Sequence, residues 1–168
     1  MLELGSKFLL SYFLGSIMGA MVVGRLKGGV DIRTMGSGNA GGTNALRTQG
    51  WLFALGVVII DVGKGAIAAG LVPAIDLPVF DGSAPDALVV YACAAAAVIG
   101  HVWPLWHRFR GGKGAATVVG TLAVLAPLLI LPLLAVWLLL VTLVGYVGLA
   151  TMTAGVAVAV YVGVTGLP

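Results

Sequence analysis

The chain has 168 residues, of which 60% are hydrophobic and only 9% charged. A soluble domain carries about 25% charged residues, so a fold solvated mainly by water is excluded. Nine basic side chains against six acidic ones give a net charge of +3. The basic residues lie between apolar stretches, where the positive-inside bias of membrane proteins accounts for them and nucleic-acid binding does not.

In chain order, five apolar stretches approach the roughly 20 residues that a bilayer requires: 7–24, 51–73, 87–106, 117–141 and 145–168. The N-terminus opens Met1-Leu2-Glu3 with no basic leader and no convincing small-residue cleavage site, so the first stretch reads as a retained helix. The second holds Asp61, Lys64 and several glycines, which predict a span broken there or shifted toward one interface. The third contains Cys93, the single cysteine. A lone thiol among alanines is a packing residue, with no disulfide framework, Cys-based metal site or activated nucleophile available. Pro127 and Pro132 cut the fourth stretch and predict a kink or an interruption. The expected fold class is therefore all-α: a polytopic integral membrane helix bundle of at least five spans, more if the proline- and glycine-broken segments count separately.

Charge sorts the connections. Arg25, Lys27, Arg33 and Arg47 face only Asp31 in the first, Asp76, Asp81 and Asp86 stand without a base in the second, and Arg108, Arg110 and Lys113 without an acid in the third. The bias of Lys and Arg toward the inner side places the first and third connections in the cytoplasm and the N-terminus outside. No charged residue follows Lys113, although a helix ending inside is usually anchored by Lys or Arg. A polar C-terminal segment is therefore expected beyond Pro168.

The first connection contains Gly36-Ser37-Gly38-Asn39-Ala40-Gly41-Gly42-Thr43-Asn44, then Arg47. Glycines let backbone N–H groups turn toward a ligand and approach it closely, and consecutive N–H groups form anion nests. Ser37, Asn39, Thr43 and Asn44 add neutral hydrogen bonds, and Arg47 offers a bidentate grip on phosphate. The alternative is a merely flexible polar turn. No strand–helix context surrounds the glycines, so a dinucleotide fingerprint is excluded.

The third connection carries Gly111-Gly112-Lys113-Gly114 and runs into a helix whose N-terminus attracts anions. Walker A is excluded, because His107 stands where that motif needs Gly and Gly114 where it needs Ser or Thr. Trp103 and Trp106 suit the interfacial aromatic belt. An ionisable His101 near the end of its span is either a functional group or a neutral histidine hydrogen-bonded between helices. His107, in an exposed basic turn, has the weaker claim. Asp61 and Lys64 share one helix face at i, i+3 and read as an ion pair that orients the first loop.

Together, the Gly36–Asn44 run with Arg47, Asp61-x-x-Lys64-Gly65, Gly100-His101-x-x-Pro104, and Gly111-Gly112-Lys113-Gly114-x-x-Thr117 resemble the bacterial acyl-phosphate:glycerol-3-phosphate acyltransferases, the PlsY family. The likeness extends from Leu14-Gly15-Ser16 to Tyr146. It implies transfer of a fatty acyl group from acyl phosphate to the 1-hydroxyl of glycerol 3-phosphate, giving lysophosphatidic acid and phosphate, at the inner face of the bacterial cytoplasmic membrane. It further implies no cofactor and no metal, and neither acyl-CoA nor acyl carrier protein as donor.

On that resemblance Arg47 and Lys113 neutralise the phosphates, while Ser37 and Asn39 orient the donor. Thr43 and Asn44 shape the loop, with Gly36, Gly38, Gly41, Gly111, Gly112, Gly114 and Thr117 completing the substrate-binding set. The proton of the attacking hydroxyl goes to a phosphate oxygen or to His101. Three departures stand out. The family's C-terminal His/Asn/Arg/Glu motif has no counterpart before Pro168, Gly42 replaces a common Ala, and Gly145-Tyr146-Val147-Gly148 replaces Arg-Tyr-Val-Ser. A transporter of phosphate or organophosphate anions is the alternative, disfavoured because no inverted repeat is evident. A His-x4-Asp acyltransferase is excluded, since Trp106 and Gly112 occupy the acid positions after His101 and His107.

Overall fold

The computed structural model describes residues 2–77 and 85–166, so Asp81 and Pro168 lie outside the described residues. Those residues form α-helices joined by short 3₁₀ turns, with no strand among them. They divide into two compact units, Met1–Thr121 and Leu122–Pro168.

In the first unit, α1 (Leu2–Gly15) and α2 (Gly19–Leu26) form one span bent by 43° at a three-residue break, where the sequence predicts an unbroken helix. A short α3 (Gly42–Gln49) leads through Gly50 into α4 (Trp51–Gly70), and α5 (Asp86–Val102) follows. Of the two expectations for this segment, the break is not found: α4 is continuous through Asp61 and Lys64. Those charges are matched by the break in its neighbour, so they impose none on their own helix.

Next, α6 (Ala115–Leu125) is an apolar helix of 11 residues, too short to cross a bilayer. The fourth span is therefore not 117–141. It begins at Pro127, with a 3₁₀ turn running into α7 (Ile130–Val144). The cause is local: a residue preceding proline is driven out of the α region, and Ala126 takes φ −156°, ψ 70°. The second unit pairs α7 with α8 (Val147–Thr165). Four single helices and the bent α1–α2 pair have the length and composition of spans, in agreement with the expected five.

The first unit is packed backbone to backbone. Small residues let membrane helices approach closely where no water drives association. On the α1–α5 seam, Gly15 lies on the Ala97 carbonyl and Gly100 on the Tyr12 carbonyl. Between α4 and α6, Gly65 meets the Thr117 carbonyl and Gly120 meets that of Val62. A core of Met18, Ala20, Ile32, Ala40, Ala45, Phe53, Ala54 and Val57 lies under the first connection and fixes it to α2, α3 and α4. Most large side chains of α7 and α8 are exposed and apolar, as lipid-facing surfaces require.

Gly65→Ala would drive a methyl group into a backbone carbonyl, whereas a methyl group at Gly63, on the same helix, would meet nothing within 4 Å. Overpacking costs about 1–3 kcal/mol. Thermal unfolding in detergent should show Gly65→Ala well below wild type and Gly63→Ala at or above it; matching melting temperatures would dismiss the close-packed seam.

Candidate functional site

The first loop is built on Asp31. Its carboxylate caps the 3₁₀ turn Ile32–Thr34, accepting from the Arg33 N–H at 2.9 Å. It also accepts from Arg33 Nε at 3.0 Å and Nη2 at 2.7 Å. The Arg33 side chain holds the Asp31 carboxyl below the usual carboxylate range. A depressed acid stabilises its partner above its unfolded pKa and loses that effect as pH falls through the folded value, so this anchor is intact at neutral pH.

Asn44 does the rest of the fastening. It is buried, and its Nδ2 lies within 3.0 Å of the carbonyls of Ile32, Met35 and Asn39, while its Oδ1 accepts from the Ser37 N–H at 3.0 Å. Gly36 leaves the space that Asn44 Oδ1 occupies and takes a left-handed φ of 57°, as Gly38 does at 71°. Asn44 therefore has its polar atoms turned inward, toward the loop. Above it, Ser37 and Arg47 are exposed, and Arg47 has no ion-pair partner among the described residues. Asn39, Gly41 and Thr43 are half-buried around the start of α3.

The second loop folds back onto α5. After the 3₁₀ turn Leu105–His107, Arg108 and Phe109 both adopt left-handed backbone, φ 56° and 59°. This reversal returns the chain so that the Gly111 N–H donates to the Val102 carbonyl and the Gly112 N–H to the His101 carbonyl, at 3.2 and 3.1 Å. Gly112 has no Cβ because His101 Nε2 fills that position, and Gly111 is likewise pressed on the His101 carbonyl. The expectation of free anion-binding N–H groups is thus not met at Gly111 and Gly112, whose donors are engaged and whose glycines permit close packing. Free donors run from Lys113 and Gly114 to Thr117, and the first backbone N–H engaged is that of Val118, which donates to the Gly114 carbonyl at 2.8 Å. The Lys113 side chain is exposed. Thr117 is not: it is fully buried beside Gly65, and its hydroxyl has no partner.

Below both loops lies a buried charged cluster. Asp61 Oδ1 receives Lys64 Nζ at 3.0 Å and the Gly19 N–H at 3.1 Å, and faces His101 Nδ1 at 3.5 Å. Lys64 Nζ also donates to the Ile17 carbonyl at 2.6 Å. The predicted Asp61–Lys64 pair therefore exists, and it satisfies one donor and one acceptor exposed by the α1–α2 break. His101, 2% exposed, sits between this cluster and Gly112.

The two loops meet at a cleft of about 400 Å³ with Arg33, Thr34 and Gly38 on one side and Arg108, Arg110 and Gly111 on the other. Ser37, Arg47 and Lys113 do not line it. In the sequence the three arginines stand only as topology markers; the signal that they do more is their adjacency to the glycine runs.

These features define an all-helical, multi-pass membrane protein with two cation- and glycine-rich loops braced on one buried charge cluster. The chain belongs to the glycerol-3-phosphate acyltransferase family, whose model, described as "Glycerol-3-phosphate acyltransferase", matches residues 6–167. It is 43% identical over 151 residues to a glycerol-3-phosphate acyltransferase of Chlorobaculum parvum, covering 88% of this chain and 65% of that one. It is 44% identical over 163 residues to one of Chlorobium phaeobacteroides, covering 92% and 67%. The chain thus spans about two thirds of the length of these curated relatives.

Among solved structures it resembles the crystal structure of PlsY (YgiH), an integral membrane glycerol 3-phosphate acyltransferase. The glycerol 3-phosphate form gives a TM-score of 0.79 at 34% identity, covering 98% of this chain and 78% of that one. The lysophosphatidic acid form gives 0.77.

Removing one member of a buried ion pair leaves an uncompensated charge and costs about 3–5 kcal/mol, more than replacing both. Asp61→Asn should therefore unfold in detergent at markedly lower denaturant than wild type, and Asp61→Asn/Lys64→Met should recover part of the loss. A double variant no more stable than the single one would detach the pair from the helix break.

Proposed function

We propose that this chain transfers a fatty acyl group from acyl phosphate to the 1-hydroxyl of glycerol 3-phosphate, releasing phosphate and lysophosphatidic acid. The observation that carries the reading is the presentation of Arg47 and Lys113. Each is an exposed cation on or beside a short helix entered through a glycine loop, and neither has a carboxylate partner among the described residues. Relatives over most of the chain are glycerol-3-phosphate acyltransferases, which supports the acceptor.

Acyl phosphate is a mixed anhydride, so the chemistry needs no protein nucleophile. The acceptor hydroxyl attacks the acyl carbon, a new ester C–O bond forms, and the bond from that carbon to the phosphate oxygen breaks. Arg47 and Lys113 stabilise the charge that grows on the departing phosphate, usually the largest contribution in such a site. Ser37 and Asn39 orient the donor, and free N–H groups at Lys113, Gly114 and the α6 start add dipolar support. The imidazole of His101 is covered by Gly112 and directed toward Asp61, so we assign the hydroxyl proton to an oxygen of the leaving phosphate. His101, Asp61 and Lys64 act as positioning residues, and Asn44 and Thr117 act within the scaffold.

Full-length protein should incorporate radiolabelled glycerol 3-phosphate into lipid with acyl phosphate and not with acyl-CoA or acyl carrier protein. Lys113→Ala should lower the rate by about 100-fold or more without changing the melting temperature. Lys113→Arg should also be poor, since a planar fork does not replace a compact ammonium. Equal transfer from acyl-CoA would overturn the donor assignment, and wild-type turnover by Lys113→Ala would remove the lysine from the site.

The distribution of basic residues supports placing both loops on the cytoplasmic side of the bacterial cytoplasmic membrane, with the N-terminus outside. In intact cells, a cysteine at Lys27 should be protected from an impermeant maleimide, and one at Asp76 should be labelled. The reverse pattern would invert the topology.

A further inference from the structure

The second loop is fastened to the first span at two points that the transfer chemistry does not use. The Tyr12 hydroxyl, on the last turn of α1, donates to the Trp103 carbonyl at 2.9 Å. Ser16, fully buried where α1 ends, accepts from the Leu105 N–H at 3.4 Å and donates to the Tyr12 carbonyl at 2.9 Å. Between these two bonds the Pro104 side chain is fully buried. Trp103 and Leu105, at the exit from α5, are thus held by partners 91 and 89 positions earlier in the chain.

The rest of the loop is built on that exit. The Pro104 carbonyl accepts from the His107 N–H at 3.2 Å and from the Phe109 N–H at 3.0 Å, which closes the reversal. The Pro104 ring lies where Gly111 leaves room for it, and Lys113 follows two residues later. The reversal is not self-supporting. Arg108 and Phe109 both take left-handed backbone, which residues with a Cβ hold only when their surroundings over-determine it. The bonds from Tyr12 and Ser16 brace the loop from outside its own sequence. Their support is rigid, because Gly100 of α5 is pressed on the Tyr12 carbonyl.

We propose that Tyr12 and Ser16 are positioning residues for acyl transfer: by fixing Trp103 and Leu105 they set where Lys113 stands against the departing phosphate. The proposal rests on the reading of Lys113 as a group that acts in the transition state. A misplacement of about 1 Å costs up to about 100-fold in rate, so bonds distant from the reacting atoms govern turnover.

Tyr12→Phe keeps the ring beside Phe13 and deletes only the bond to Trp103. Ser16→Ala deletes the contact to Leu105. In full-length protein supplied with acyl phosphate and glycerol 3-phosphate, the double variant should lose roughly tenfold in kcat with KM for each substrate within about threefold, the pattern of an interaction made only in the transition state. Tyr12→Phe alone should show the same split at smaller size, and it is the variant read if the double one does not fold. In a Lys113→Ala background the same changes should cost nothing further, since residues that act through one group are not additive. An equal loss in both backgrounds, or a wild-type kcat, would sink the proposal. Hydrogen exchange reads the joint without turnover: amides over 103–114 should exchange faster in the double variant, with 130–165 unchanged. Unaltered exchange over 103–114 would overturn the positioning role whatever the rate. Wild-type protein that fails to transfer from acyl phosphate would count against the donor assignment, and the exchange result would still decide the joint.

Discussion

A carboxylate in the middle of a membrane helix is tolerable only when its lone pairs are answered from several directions. Asp61 is answered by a lysine one turn along its own helix and by a backbone N–H from the broken span, and it faces the His101 imidazole at 3.5 Å. Each of those groups carries a segment of the site with it. Gly19 starts α2, which delivers the chain to the first loop; His101 packs against the second; Lys64 holds the break itself through the Ile17 carbonyl. The loops are exposed and polar, yet both lie over groups gathered around one buried oxygen.

Above that anchor the loops are organised by side chains that do not face solvent. Asn44 draws the first loop around itself, and Asp31 orients Arg33. The glycines divide into two kinds. Gly36 and Gly38 provide left-handed backbone, while Gly111 and Gly112 provide absent side chains where α5 and His101 need room. The apparent phosphate-loop composition is therefore partly a packing requirement, and the anion-directed donors are fewer than the glycine count suggests.

The class of fold was legible because composition and span length report the solvent directly: nine basic and six acidic residues cannot cover a water-facing surface of this size. The Asp61–Lys64 pair was also legible, since i, i+3 spacing is a local property. What escaped was non-local. Nothing in Ser16-Ile17-Met18 marks a helix break, because the groups that stabilise it lie 42 and 47 residues away. Pro127 announced an interruption, but not that the preceding segment would become a separate helix seated on α4 through Gly120. Arg33, Arg108 and Arg110 were visible only as charge, since their convergence requires the reversal at Arg108 and Phe109. Thr117 entered the substrate-binding set through the family resemblance alone, and it lies buried inside the helix interface.

The seating of Gly112 on the edge of the His101 ring has a geometric corollary. Lys113 is the next residue along, so the reach of the His101 ring edge and the absence of a methyl group at Gly112 together set where the Lys113 backbone lies against α5. A larger residue at 112 would push the loop off His101. The pair works as a spacer between α5 and the loop that carries Lys113.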